Sequence, residues 1–282
     1  MRVLVTGASG KAGKWVVRDL VDAGHDVLAT DIAPALPDCP APFTRADLTD
    51  HGECLELLDG MDAVAHLANI PAPRLFTSAR TLAENDTMNG NVFLAAADRG
   101  VRRVVWASSE TTLGLDFGPD NLPRYAPVDE DHFPHPTTTY SLSKVVAETM
   151  AAHVARWSGI PFVGLRLSNV MDPEDYAAFP SYWPDARSRM WNLWGYIDGR
   201  DAAACFRAAL EADTDGVVNA IVANDDTVMD RPSAELLAEV FPGVETRGTI
   251  EGFSTLLSNR RAREVFGWAP AHSWRSELGR AV

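Results

Sequence analysis

The sequence predicts an α/β fold, a doubly wound parallel sheet with a small C-terminal lobe. Three observations carry this reading. Short apolar runs rich in β-branched residues alternate with amphipathic runs of helical length as far as residue 222. That alternation specifies strands joined through helices, and so a parallel sheet. Glycines at 7, 10 and 13 separate the first apolar run from the first amphipathic one. Such a turn brings backbone N–H groups at a helix N-terminus close to a phosphate. Asp31 closes the second apolar run, where a carboxylate can accept both hydroxyls of an adenosine ribose and repel a 2′-phosphate.

The elements follow in order. Val3-Leu4-Val5 is the first strand and Trp15 to Ala23 the first helix. Between them, Gly7, Ser9, Gly10, Lys11, Ala12 and Gly13 form the expected pyrophosphate loop, and with Asp31 they predict NAD in preference to NADP. Residues 26–30 make the second strand, and the proline-rich stretch 34–42 a surface connection. Phe43 to Leu48 reads as a short third strand. Asp47 and Leu48 then either sit at its carboxyl end near an adenine or cap the helix at 52–58. Asp62 to Ala68 is a buried fourth strand, whose small terminal residues suit close approach to a cofactor. A histidine inside such a strand, His66, is expected to be a satisfied packing residue. Residues 79–98 have helical periodicity with Asn85, Asn89 and Asn91 inside. Asparagine is a mediocre helix former, so these three predict either polar contacts on one face or a solvated face.

Val101 to Ala107 is the fifth strand and ends in Ser108-Ser109. Residues 114–139, rich in Pro, Asp and His, read as a surface loop. His132 and His135 lie there among acids, but nothing fixes a metal geometry, and no metal is expected. A helix opens at Thr139 and runs to about Trp157; Ile160 to Leu167 is the sixth strand, ending at Ser168-Asn169-Val170. The stretch 171–194 combines prolines with Tyr176, Tyr182, Trp183, Trp191 and Trp194. These aromatics either stack on a sugar face or fill the lobe itself. A helix follows from about Gly199 to Ala212, then a strand at 217–222, and helices at 233–240 and 259–266. The expected division is a dinucleotide-binding domain, residues 1–170 with 195–223 returning to it, and a substrate lobe from 171–194 and 224–282.

Composition sets outer bounds. The chain has 282 residues, 46% of them hydrophobic, enough for one large core and a smaller one. A net charge of −14 argues against nucleic-acid or anionic-membrane binding. Three scattered cysteines predict neither a disulfide framework nor a zinc site, and with a first strand at the N-terminus they suggest a cytoplasmic location.

Tyr140 and Lys144 are four residues apart on a predicted helix, so they share a face. A free phenol ionises near pH ~10, and a neighbouring ammonium favours its phenolate. The pair can therefore move a proton. Ser109, at a strand end, can hold the reacting oxygen. Together they suit chemistry in which a nicotinamide moves the hydride.

These motifs, in this order, resemble the extended short-chain dehydrogenase/reductase family, the NAD-dependent epimerase/dehydratase group. Thr6-Gly7-Ala8-Ser9-Gly10-Lys11-Ala12-Gly13 is similar to its TGxxGxxG loop, and Asp31 to its ribose acid. Asp47-Leu48 resembles its adenine-side pair, and His66-Leu67-Ala68 its stretch passing the cofactor. Ser109, Tyr140 and Lys144 occupy the places of its catalytic serine, tyrosine and lysine. Leu165 to Val170 resembles LRxxNV, whose asparagine, here Asn169, faces substrate. Residues 198–201 resemble its D-x-R-D turn and 267–270 its GWxP. The resemblance implies a Rossmann domain, NAD bound by the loop, Asp31, Asp47, Leu48, Leu67, Ala68, Asn85, Tyr140 and Lys144, and a homodimer through the helix carrying the tyrosine.

Departures bear on the substrate. Leu113 replaces the usual tyrosine before Gly114, Met88 and Asn89 replace a glycine and a threonine, and Met171-Asp172 replaces a tyrosine-glycine pair. The Asp-Glu pair of the family's 4,6-dehydratases is Glu110-Thr111 here, which removes that mechanism's second acid. The leading expectation is hydride transfer at a sugar or nucleotide-sugar hydroxyl or carbonyl, as in an epimerase. The short aromatic lobe and the run from Ser109 to Gly114 also resemble the uronate dehydrogenases, which oxidise a free sugar acid. Candidate substrate contacts are Ser109, Glu110, Thr111, Asn169 and Arg187, with Arg166 and Arg189 as further anion ligands. A non-catalytic NAD(P)-sensing protein is a third possibility, disfavoured by the presence of both Tyr140 and Lys144.

Overall fold

The computed structural model describes residues 1–132 and 134–280. Seven parallel strands form one sheet: β1 Arg2–Thr6, β2 Asp26–Asp31, β3 Phe43–Arg45, β4 Ala63–His66, β5 Arg103–Ser109, β6 Phe162–Leu167 and β7 Val217–Val222. Their order across the sheet is β3-β2-β1-β4-β5-β6-β7. The order reverses between β1 and β4, and the carboxyl ends of those two strands open the crevice where ligands bind in such sheets.

The central strands are buried on both faces, so they read as continuous apolar runs. On one face lie α1 Gly13–Asp22 and α5 Gly199–Glu211; on the other α3 Ser78–Arg99 and α4 Thr139–Ser158. The short α2 spans His51–Leu57. The caps are those the sequence chemistry favours. Asp50 accepts from Gly52 N and Glu53 N at the start of α2, and Thr77 from Arg80 N at the start of α3. Gly100 and Gly159 end α3 and α4 in the left-handed conformation.

Two expectations need revision. The third strand stops at Arg45, so Asp47 and Leu48 lie in the loop beyond it, and the cap of α2 is Asp50 rather than either of them. The stretch after Gly114 is no plain surface loop: Leu115, Phe117, Tyr125, Ala126, Val128 and His132 are buried, and His132 Nε2 accepts from Arg124 N at 3.1 Å.

Those apolar residues belong to a second core. They pack with Met171, Tyr176, Phe179, Trp194, Tyr196, Met229, Phe241 and Trp274. The chain here includes 3-10 turns at 173–181 and 186–192 and the helices α6 Ser233–Val240 and α8 Trp274–Glu277. Tyr176, Phe179, Trp194 and Tyr196 are therefore filling, and no sugar face is offered by them. The C-terminal α7, Arg260–Phe266, and Trp268 return to the main core beside α5. Asp201 ties this return, accepting from the backbone of Ala271 and His272 at 3.0 and 2.9 Å.

Candidate active site

A cleft of about 1080 Å³ runs along the carboxyl ends of the strands. Its lining includes Gly7, Ser9, Gly10, Lys11, Ala12, Gly13, Asp31, Asp47, Leu48, Leu67, Ala68, Ser109, Glu110, Thr111, Tyr140, Lys144 and Asn169. Nearly all the sequence-predicted site residues are thus brought together. Two are not. Asn85 is buried away from the cleft, gripping the backbone of Ile70 (2.7 Å from its N, 3.2 Å from its O) and Ser143 Oγ. Arg187 lies exposed on a 3-10 turn and does not line the cleft.

The glycine loop fits a dinucleotide for stated steric reasons. Gly7 has φ +68, and a Cβ there would meet the backbone of Ala68 at 2.6 Å. A Cβ on Gly13 would meet Gly7 O at 2.0 Å. Both glycines allow α1 to start against the strand ends; Gly10 leaves its side of the loop clear. Asp31 accepts from Ser9 N and from Ala33 N, both at 3.0 Å, so its carboxylate holds the loop to the end of β2. The Lys11 ammonium pairs with Asp175 at the edge of the cleft. Lys14 Nζ and Trp15 Nε1 hold Asp172 at 2.8 and 2.6 Å. The first turn of the lobe is fastened here to the first turn of α1.

The catalytic candidates sit where β5 and α4 converge. The α4 N-terminus is fixed by a reciprocal cap, in which Thr138 Oγ1 accepts from Ser141 N and Ser141 Oγ from Thr138 N. This places Tyr140 and Lys144 one turn apart inside the cleft. Tyr140 is half-buried, and the Ser109 hydroxyl lies beside its phenol. Ser109 Oγ also accepts from Thr111 N (3.2 Å) and Thr111 Oγ1 (3.0 Å). Lys144 Nζ donates to Asn69 Oδ1 at 2.7 Å and to Ala107 O at 2.8 Å.

The electrostatics differ from the simple pairing argument. Burial pushes the Tyr140 phenol up to about 12, with the Ser109 hydrogen bond opposing and Glu110 adding to the rise. Burial pushes Lys144 down to about 7, opposed by Glu148. The Lys144 Nζ is held by Asn69 Oδ1 and Ala107 O.

His66 is a satisfied packing residue. Its Nδ1 meets Thr6 Oγ1 at 2.7 Å and its Nε2 meets Asn89 Oδ1 at 3.0 Å, and burial pushes it down to about 3. The three asparagines of α3 all point inward, Asn91 donating to Leu48 O and Thr49 O.

Sequence reasoning missed Asn69, Ser168 and Asn192, and it left Arg189 undistinguished among three arginines. Arg166 is locked by Glu148, with Nε and Nη2 each 2.9 Å from its carboxylate. Arg189 is buried behind Asn169, whose amide oxygen, in the orientation that satisfies both groups, accepts from Nη1 and Nη2 at 3.1 and 2.9 Å. Adjacency to Asn169 and Ala68 was the available signal for Ser168 and Asn69.

The chain matches, over residues 3–224, the family described as the NAD dependent epimerase/dehydratase family. It belongs to that family. Membership makes it an enzyme of the extended short-chain dehydrogenase/reductase type, with NAD as cofactor. An NAD-dependent glucose-6-phosphate dehydrogenase of Haloferax volcanii is 28% identical over 239 residues, covering 79% of this chain and 86% of that one. A uronate dehydrogenase of Pseudomonas putida is 30% identical over 172 residues, 60% of each chain. A short-chain dehydrogenase/reductase superfamily protein of Agrobacterium tumefaciens, solved with bound NAD, superposes with TM-score 0.75 at 22% identity, covering 99% of this chain and 95% of that one. No helix among the described residues is long and apolar enough to cross a membrane.

Proposed function

We propose that this enzyme is an NAD-dependent dehydrogenase that oxidises a hydroxyl of a free aldose-type sugar. The observation that carries the reading is the convergence of Tyr140, Ser109 and Lys144 on the cleft that also holds the glycine loop and Asp31. The free sugar is favoured over a nucleotide sugar by the fate of the lobe arginines. Arg187 lies outside the cleft, Arg166 is neutralised by Glu148, and Arg189 is buried behind Asn169. None of the three is disposed to grip a diphosphate. The Haloferax and Pseudomonas relatives, named as a glucose-6-phosphate and a uronate dehydrogenase, support only the part of this reading that leaves out a nucleotide.

In this mechanism the glycine loop would hold the pyrophosphate and Asp31 the adenosine ribose, with Lys144 toward the nicotinamide ribose. NAD, when bound, supplies the hydride acceptor and, in its oxidised form, a positive charge. The Ser109 hydroxyl orients the substrate oxygen toward Tyr140. Tyr140 takes the proton of that hydroxyl as the C–H bond breaks, and returns it in the reverse direction. That positive charge would lower the phenol from its position near 12, as a cation beside an acid must. Asn69 and Ala107 hold Lys144 in place for both roles.

The test is NADH absorbance with purified enzyme, excess NAD and a panel of free sugars, uronates, sugar phosphates and nucleotide sugars. Net NADH with a free sugar is expected. A converted nucleotide sugar with no net NADH would replace this reading by epimerisation.

A further inference from the structure

Glu110 is a buried acid immediately after Ser109, and the proton-transfer scheme does not use it. It lines the cleft with Ser168, Asn169 and Trp191. Its Oε2 accepts from Ser168 Oγ at 2.5 Å and its Oε1 from Asn192 Nδ2 at 3.1 Å. Asn192 Nδ2 also donates to Gly195 O at 2.9 Å, an oxygen that Arg189 Nη2 approaches at 3.5 Å. Glu110 and Arg189 therefore face each other across the two asparagines, one negative, one positive, both buried. The Arg189 guanidinium also lies over the rings of Tyr182 and Trp191, 5.4 and 5.1 Å from their centres. Its Nε has no partner, so it has donor capacity in reserve.

A buried charge needs a counter-charge. If Glu110 supplies it, the wall made by Ser168 and Asn169 is already neutral. A carboxylate placed against that wall would meet Glu110 without an uncompensated cation to hold it. Asn169 spends its amide oxygen on Arg189 and offers the substrate its N–H donors. Those suit a hydroxyl or ring oxygen.

We propose that Glu110 is a specificity-determining residue: by compensating Arg189 it makes this wall a site for an uncharged sugar rather than the corresponding sugar acid. The proposal rests on the sugar-dehydrogenase reading above. Burial raises Glu110 to about 7, with Ser168, Asn192, Arg189 and the Asn169 N–H opposing the rise, and Tyr140 is the other titratable group that it acts on. Protonation of Glu110 would leave the positive charge of Arg189 uncompensated behind this wall, so tolerance of the acid should rise as pH falls.

The experiment compares kcat/KM for glucose with glucuronate and for galactose with galacturonate. The wild type should prefer the neutral sugar of each pair. Glu110→Gln should move the ratio toward the acid by about 10-fold or more, with NAD affinity unchanged. The wild-type ratio should also move toward the acid between about pH 8 and about pH 6, a readout that needs no variant. A wild-type preference for the acids, or a ratio insensitive to both the substitution and pH, overturns the proposal. If wild type reduces NAD with none of these sugars, the dehydrogenase reading fails separately. Ligand-observed NMR of the same four sugars on NAD-loaded protein then decides. Selective binding of the neutral sugars that Glu110→Gln relaxes sustains the proposal, and equal binding or none overturns it.

Discussion

The Lys144 ammonium lies 2.7 Å from the side-chain oxygen of Asn69, and 5.6 Å from the centre of the Tyr140 ring. Asn69 in turn donates to Asn89 Oδ1 at 3.1 Å, which also meets His66 Nε2. Lys144 is thus one end of a buried chain that runs through Asn69, Asn89 and His66 to Thr6 in the first strand. Removing the acceptor should matter. A hydrogen bond to a charged group contributes about 1.5–3 kcal/mol, so Asn69→Ala is expected to lower kcat/KM by about 10- to 100-fold. Steady-state kinetics on a variant with wild-type melting checks this, and an unchanged kcat/KM removes Asn69 from the role.

Tyr140→Phe keeps the ring and deletes the proton carrier. Turnover should fall by about 100-fold or more, while NAD titrated by fluorescence quenching should bind with nearly unchanged affinity. Comparable turnover would exclude Tyr140 as the acid/base.

Asp31→Asn keeps an acceptor oxygen for only one of Ser9 N and Ala33 N, which use different carboxylate oxygens, and loses the charge. The preference for NAD over NADP, read as the ratio of the two dissociation constants, should fall by about 10-fold or more. Equal weakening of both cofactors would mean that the residue only shapes the loop.

The two ends of the glycine loop should respond differently. Gly13→Ala drives a Cβ to 2.0 Å from Gly7 O, a backbone atom that cannot step aside. Overpacking of that kind costs about 1–3 kcal/mol, visible as a lower Tm. Gly10→Ala meets the same oxygen only at 3.1 Å. It should fold nearly as well and lose NAD affinity instead.

His66 carries a pH signature. Its folded pKa, about 3, lies below the ordinary 6.5. Between those values the unfolded chain binds a proton that the folded chain refuses, so this residue's contribution to stability falls as pH drops from about 6.5 toward 3. Thermal melts at neutral and mildly acidic pH should show a larger loss of Tm for wild type than for His66→Gln. An equal loss would show that other groups set the acid limit.

The strands, the long helices and the nucleotide loop were legible because their signals are local. Apolar periodicity marks a strand or helix, and a glycine is needed where a Cβ would strike backbone. Tyr140 and Lys144 were legible because helical geometry alone puts them on one face. The lobe was not, because 3-10 turns give no phase from which to read a face. Arg187 and Arg189 are two residues apart, yet one is exposed and the other buried, the difference set by a break at Arg189 (φ −130) inside the turn. Asn85 resembled a cofactor ligand but spends all its capacity on the Ile70 backbone and Ser143. The phenol's direction of shift was also invisible, since it depends on burial and on Glu110 rather than on the spacing to Lys144.

The pairing of Lys11 with Asp175, and of Lys14 and Trp15 with Asp172, has a thermodynamic consequence. Three residues of the glycine loop and its helix are tied to the first turn of the lobe, where we propose that the sugar binds. Whatever free energy a bound nucleotide adds to or takes from those contacts is the same free energy by which the lobe alters the nucleotide's affinity. The two binding equilibria are therefore reciprocal, and Asp172 is where their balance can be set without touching either ligand.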